Sequence, residues 1–137
     1  MSIVVLDTNV LLDVFVFNDF RTIHLKEALC SGKVTALATP KTIAEFTDVI
    51  SRPLFCLDES AQANILMQWS SLAKIIPDET LRPSPWKCRD LDDQVFLDLA
   101  YTSRPCTLLS KDNEVLIFTS RAAKERVLIT ADYTLTL

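Results

Sequence analysis

The sequence predicts an α/β domain built on a mostly parallel sheet. Short, continuous apolar runs alternate along the chain with stretches of helical periodicity. Those runs lack the in–out alternation of a half-exposed sheet, which marks strands covered on both faces. A chain of 137 residues, 49% hydrophobic and 23% charged, is too apolar for disorder and long enough to bury a core.

Ile3-Val4-Val5-Leu6 reads as the first buried strand. Val10, Leu11, Val14, Phe15 and Phe17 then recur at near-helical spacing. A second helical segment spans Thr22 to Ser31, with Gly32 as its C-terminal stop. Val34 to Ala38 is the next strand. Thr39-Pro40 is a helix-start signal, a capping hydroxyl followed by proline in the first turn. That helix carries Ile43, Phe46, Val49 and Ile50 and ends at Arg52-Pro53. Ser60 opens another helix to about Leu72, and Lys74-Ile75-Ile76 is a short strand. Residues 78–89, with Pro83 and Pro85, read as a loop. Leu91 to Tyr101 is helical with Asp90 as cap, Thr107-Leu108-Leu109 is a strand, Asp112 to Phe118 a short helix, and Val127-Leu128-Ile129 the last strand.

Composition removes several functions. A single glycine, Gly32, excludes the glycine-rich turns that cradle dinucleotides and nucleotide phosphates. A single histidine, His24, excludes paired-histidine zinc chemistry and weakens any catalytic triad; a surface or packed role is expected of it. The cysteines, Cys30, Cys56, Cys88 and Cys106, have no zinc-ribbon spacing. A net charge of −4 with 14 Lys and Arg leaves no bulk basic footprint for nucleic acid, though a local basic rim is compatible with it. The first residues carry no basic leader, and no apolar run reaches the ~18 residues of a membrane span. A cytoplasmic protein with no membrane partner is therefore expected.

The remaining chemistry rests on 18 acidic residues, 12 of them Asp. Asp7 directly follows the first strand, and Asp112 follows the strand at 107–109. In open parallel sheets, ligands sit outside the carboxyl ends of the strands. Each Asp is also a good helix cap, so position alone divides Asp7 evenly between the two roles. Two strands each followed by an acid favour a shared site. Asp90, Asp92 and Asp93 open a helix whose dipole favours acids there. Asp92 and Asp93 both precede inward-facing apolar residues, and periodicity does not choose between them. Glu45 borders the apolar arc of its helix, where a surface pairing with Lys41 explains it as well. Asp13 is expected to be solvated.

Carboxylates that converge repel one another, and a divalent cation relieves this. Oxygen-only donors favour Mg²⁺ or Mn²⁺. Such ions bridge carboxylates and phosphate oxygens and acidify water, which points to a phosphodiester substrate.

The ordered set of motifs resembles the PIN-domain ribonucleases, in particular the stand-alone prokaryotic proteins related to VapC-type toxins. Val4-Val5-Leu6-Asp7-Thr8-Asn9-Val10-Leu11-Leu12 is similar to the opening D-T-N/S-V-L. Thr39-Pro40, Ile43-Ala44-Glu45-Phe46, Val49-Ile50 and Arg52-Pro53 resemble S-P…L-x-E-L…V-L-x-R-P. Cys88-Arg89-Asp90-Leu91-Asp92-Asp93 with Phe96-Leu97 and Leu99-Ala100 is similar to R-D-P-D-D-x-x-F-L-x-L-A, and Leu108-Leu109-Ser110-Lys111-Asp112 to L-V-T-G-D. Leu91 replaces a proline of the pattern, and Ser110-Lys111 its T-G pair. A lysine there would compete with a metal for Asp112.

The resemblance implies a three-layer α/β/α fold with a parallel sheet of about five strands, the first and fourth adjacent, in a single PIN-like domain over 1–137. It makes Asp7, Glu45, Asp93 and Asp112 catalytic, metal-binding acids, choosing Asp93 over Asp92, with Thr8 or Asn9 orienting a ligand or water. It implies Mg²⁺- or Mn²⁺-dependent hydrolysis of single-stranded RNA, a small antitoxin partner and homodimerisation. Arg52, Lys87, Arg89 and Lys111 flank the motifs as candidate RNA-backbone contacts, although an ordinary solvated charge is the better account of any single one. Trp86 is expected to pack in the core or loop rather than to stack on a base. A catalytically inactive PIN-like binding module is the alternative. A phosphatase or phospho-receiver ranks last, because Asp7-Thr8-Asn9 lacks a second Asp.

Overall fold

In the computed structural model, which describes residues 2–134, five strands form one parallel sheet in the order β3-β2-β1-β4-β5. The strands are β1 (Ser2–Leu6), β2 (Val34–Ala38), β3 (Ala73–Ile75), β4 (Cys106–Leu109) and β5 (Val127–Thr130). The helices are α1 (Thr8–Leu11), α2 (Ile23–Ser31), α3 (Pro40–Ile50), α4 (Glu59–Leu72), α5 (Leu91–Thr102), α6 (Asn113–Leu116) and α7 (Thr119–Ala123).

β1 is central because it is apolar on both faces. Val4 and Leu6 pack on one side with Phe46, Ile50, Ile65 and Trp69 of α3 and α4. Val5 packs on the other with Phe96, Leu97 and Leu99 of α5 and Val115 of α6. This gives the three-layer α/β/α architecture that the motifs imply. At the edges, β3 is three residues long and carries exposed Lys74, features that discourage pairing with another sheet.

The chain builds β1, β2 and β3 outward in one direction, then crosses back to lay β4 on the opposite side of β1. The order therefore reverses between β1 and β4, where a parallel sheet opens its crevice. Leu6 pairs with Leu109, so the next positions, Asp7 and Ser110, stand side by side at that crevice.

Local signals explain the elements. Gly32 ends α2 with φ near 80°, a left-handed conformation that costs other residues strain. Asp58, Asp90 and Asp112 cap α4, α5 and α6 through their side chains. Thr39 accepts the Thr42 amide (3.2 Å), and the Thr42 hydroxyl oxygen accepts the Thr39 amide (2.9 Å), closing a reciprocal capping box under Pro40. Trp86 is buried edge-on to Tyr101, with ring centroids 5.5 Å apart, so it packs and is not available for base stacking. α7 was not expected from the periodicity; only Ala122 of its five residues is buried.

The first helix also departs from expectation. It passes from α1 into a π-helical turn, Leu12–Val16, in which the Phe17 amide bonds to the Leu12 carbonyl at 2.9 Å. A π turn inserts a residue and changes which side chains face inward. Asp13, expected in solvent, is buried at 4% exposure. It is retained there because the Tyr133 hydroxyl and the Lys111 ammonium, both distant in sequence, satisfy its carboxylate.

The capping box sets the entry angle of α3 and with it the position of Glu45. Thr39→Ala is expected to lower stability by about 1–2 kcal/mol, because the buried Thr42 amide loses its acceptor. Urea denaturation checks this.

Candidate metal centre

Three sequence-predicted acids meet at the crevice between β1 and β4. Asp7, Asp93 and Asp112 each offer a carboxylate oxygen, and the three oxygens lie within 4.8 Å of one another. Asp7 arrives from the end of β1, Asp112 from the segment after β4, and Asp93 from the first turn of α5 on the adjacent face. Glu45 is not a member of this group; it borders it from α3, where its Oε2 accepts the Thr8 hydroxyl at 2.8 Å. Thr8 thus ties Glu45 to the residue beside Asp7. Asn9 reaches the other way, its Oδ1 accepting the Lys111 amide at 3.2 Å.

Ser110 is a functional-site residue that periodicity did not single out. Its hydroxyl donates to Asp7 Oδ2 at 2.6 Å and accepts the Asp112 amide at 3.0 Å. One buried hydroxyl thereby fixes two of the three acids relative to each other. The available signal was its place in the motif, where the PIN pattern also has a hydroxyl residue two before the acid.

The third acid is oriented by the loop before α5. Gln94 donates to the Trp86 carbonyl and to Asp98 Oδ1, both at 2.9 Å, and accepts the Cys88 amide at 2.6 Å. The Ser84 amide also bonds Asp98 Oδ1, at 2.8 Å. The loop is therefore laid along α5, and the helix start holding Asp93 cannot swing independently.

The basic residues behave differently from one another. Arg52 is paired with Asp48 one turn back on α3, at 3.1 Å. Lys111 places its ammonium 2.6 Å from Asp13 Oδ2, so it is committed to that carboxylate and does not occupy the acid cluster. Lys87 and Arg89 are exposed on the loop before α5, and neither is in an ion pair among the described residues. His24 is exposed beside Glu27.

Burial, and after it the crowding of like charges, raises the pKa values of the acids. Asp93 is pushed up to about 8, first by burial, then by its hydrogen bond with Asp112 and by the charges of Asp7 and Asp112. Burial raises Asp7 as well, opposed by the hydrogen bonds from Ser110 and Thr8. Glu45 is raised by burial, opposed by Thr8 and reinforced by Asp92, Asp7 and Asp90. Three oxygen donors, close together and short of positive charge, have the chemistry of a hard divalent-cation site.

A carboxyl raised in the folded state favours folding only while it stays protonated. Without metal, Asp93 accordingly weakens the fold as pH rises from near 4, its unfolded value, through about 8. Asp93→Asn removes the titration. The thermal stability of the metal-free variant, relative to the parent, is expected to grow across that interval and then level off. Melting curves from about pH 4 to about pH 9 check the sign.

Comparison with known proteins agrees with this geometry. The chain is similar over 94% of its length, and over 98% of the other chain, to a protein in the crystal structure of VapBC2 from Rickettsia felis bound to a DNA fragment from their promoter. The TM-score is 0.63 at 14% identity, a likeness of fold. No curated protein sequence matches the chain. The PIN domain family profile matches residues 3–114, which contain all four predicted acids. A five-stranded parallel sheet, the acids at its switch point and that match together place the chain in the PIN domain family.

Proposed function

We propose that the protein is a ribonuclease that hydrolyses phosphodiester bonds of single-stranded RNA with Mg²⁺ or Mn²⁺, and that it is the toxin component of a toxin–antitoxin pair. The observation that carries this reading is the convergence of Asp7, Asp93 and Asp112 within 4.8 Å at an open crevice. The donors fit the ion, since all are carboxylate oxygens, and burial together with neighbouring like charges raises the pKa of both Asp7 and Asp93. Asp7, Asp93 and Asp112 would hold it, with Glu45 alongside. Bound there, a divalent cation supplies charge neutralisation for the scissile phosphate and acidification of water.

The protein's own groups do the remaining work. Ser110 and the Thr8 amide hold the two Asp7 oxygens, at 2.6 Å each, which limits the rotation of that carboxylate. The Thr8 hydroxyl presents Glu45 at the edge of the site, where a half-buried carboxylate whose pKa is raised by burial is suited to accept a proton from attacking water. The groove beyond Glu45 is bordered by Asp48, Asp92 and Lys41. This surface repels a polyanion unless a cation intervenes, so productive RNA binding should require metal. Lys87 and Arg89, exposed near the start of α5, are the proposed backbone contacts; Arg52 and Lys111 are held by carboxylates.

The structural neighbour is a VapBC assembly, which supports an antitoxin partner for this chain. Among the described residues, no helix is long and apolar enough to cross a membrane. The proposed protein is one PIN domain acting in the cytoplasm.

Cleavage of end-labelled single-stranded RNA tests the reading. Activity is expected with Mn²⁺, absent with EDTA, and reduced about a hundredfold or more by Asp7→Asn and Asp93→Asn. Equal rates under all these conditions would place the activity elsewhere. A folded protein that shows neither cleavage nor a Mn²⁺-dependent rise in melting temperature would be the inactive binding module instead.

A further inference from the structure

Lys111 stands where the PIN pattern has glycine, and its side chain solves a problem away from the acid cluster. Asp13 lies in the π-helical turn and is buried. A buried carboxylate needs a cation or several donors. Asp13 Oδ2 has two partners, the Tyr133 hydroxyl at 2.5 Å and the Lys111 ammonium at 2.6 Å. With Asp13 itself, they join three separate segments: the first helix, the stretch after β4, and the stretch after β5. The Arg21 guanidinium lies 5.8 Å from the Tyr133 ring centroid, closing the outer side.

Lys111 is thereby tied to the first helix twice, through its backbone amide to Asn9 and through its ammonium to Asp13. Its neighbours are the two residues the candidate centre needs from this stretch. Ser110 bonds Asp7, and Asp112 belongs to the acid cluster. Two consecutive residues, Ser110 and Lys111, are thus bonded to the segment after β1, and Asp112 follows them with its amide on the Ser110 hydroxyl.

We propose that Lys111 is a positioning residue, held by Asp13 and Tyr133 so that the stretch 110–112 presents Asp112 toward Asp7 and Asp93. The significance of that placement rests on the metal-dependent nuclease reading above; the clamp itself does not. The lysine acts through the backbone it pins and does not bind substrate phosphate.

The test compares Lys111→Met, Lys111→Arg, Asp13→Asn, the Lys111→Met/Asp13→Asn double variant and Tyr133→Phe with the parent. Single-turnover and steady-state RNA cleavage with Mn²⁺ is measured together with amide hydrogen exchange. Lys111→Met and Asp13→Asn are each expected to lower kcat about tenfold with KM changed less than about twofold. Lys111→Arg should recover most of the loss, and Tyr133→Phe should cause a smaller one. The double variant should lose no more than the worse single variant, because the two side chains act as one unit. Exchange of the Lys111 and Asp112 amides should accelerate about tenfold in both single variants, while the buried amides of β1 and β4 stay protected.

A raised KM for Lys111→Met with Asp13→Asn unaffected would make Lys111 a phosphate contact and overturn the proposal. So would unchanged kcat in both variants, or uniform loss of protection through β1 and β4. If Lys111→Met leaves an unpaired buried charge and does not fold, the double variant, which lacks both charges, and Asp13→Asn decide the matter. Should the parent itself neither cleave RNA nor bind Mn²⁺, the nuclease reading fails. The exchange rates at residues 111 and 112 then judge the clamp alone, and rates equal to the parent's would refute it.

Discussion

Three carboxylates whose oxygens lie within 4.8 Å of one another are the constraint around which this fold is organised. Like charges a few ångströms apart, partly removed from water, disfavour the state that brings them together. The structure accepts that repulsion at one end of its sheet and offsets it with neutral donors. Asp7, the most buried of the three, receives the Thr8 amide and the Ser110 hydroxyl. No arginine or lysine is paired with any of the three among the described residues. A cationic side chain would have quenched the charge permanently; hydrogen bonds orient the oxygens and leave the charge for an exchangeable ion.

Topology makes that arrangement precise in space with few residues. Because β1 and β4 are hydrogen-bonded neighbours with Leu6 opposite Leu109, the register alone delivers Asp7 to Ser110. The Asp7 amide continues the ladder to the Leu109 carbonyl at 3.0 Å, and the Ser110 amide does the same to the Thr130 carbonyl at 3.1 Å. Asp7 and Ser110 are thus mounted on the last rungs of the sheet, and Asp112 follows two residues beyond. Asp93 approaches from α5, whose Phe96, Leu97 and Leu99 are buried against the same strands. Rigid elements supply position, and short loops supply only the turn into the site.

Much of this was legible in the residues, and what was not has a common cause. The strands showed as apolar runs because both faces are covered, and the caps showed because Thr39, Asp90 and Asp112 are chemically suited to them. Local signals of this kind depend on a few neighbouring residues. Asp13 was misread because its burial depends on Tyr133 and Lys111, 120 and 98 positions away, and on a π turn that periodicity does not encode. Ser110 was overlooked for a similar reason. Its hydroxyl matters only once β4 lies beside β1, so periodicity carried no sign of it and its place in the motif was the one available signal. Trp86, by contrast, was expected to pack rather than to stack on bases, and it does so against Tyr101 of α5.

The capping and functional interpretations of the acids, opposed in the sequence, prove to be compatible. A helix cap engages one carboxylate oxygen, and a carboxylate has two. Asp112 accepts the Glu114 amide on Oδ1 at 2.9 Å and is still a member of the cluster. Asp7 caps α1 through Oδ1 while Oδ2 faces Ser110. Capping therefore serves the site: it fixes the carboxylate plane with a backbone donor that cannot move independently of the helix. Asp90 performs only the structural half of this, bonding the Asp92 amide at 2.9 Å, and leaves Asp93 free to turn into the crevice. The helix start at α5 thus divides the labour between two acids, whereas those at α1 and α6 combine it in one.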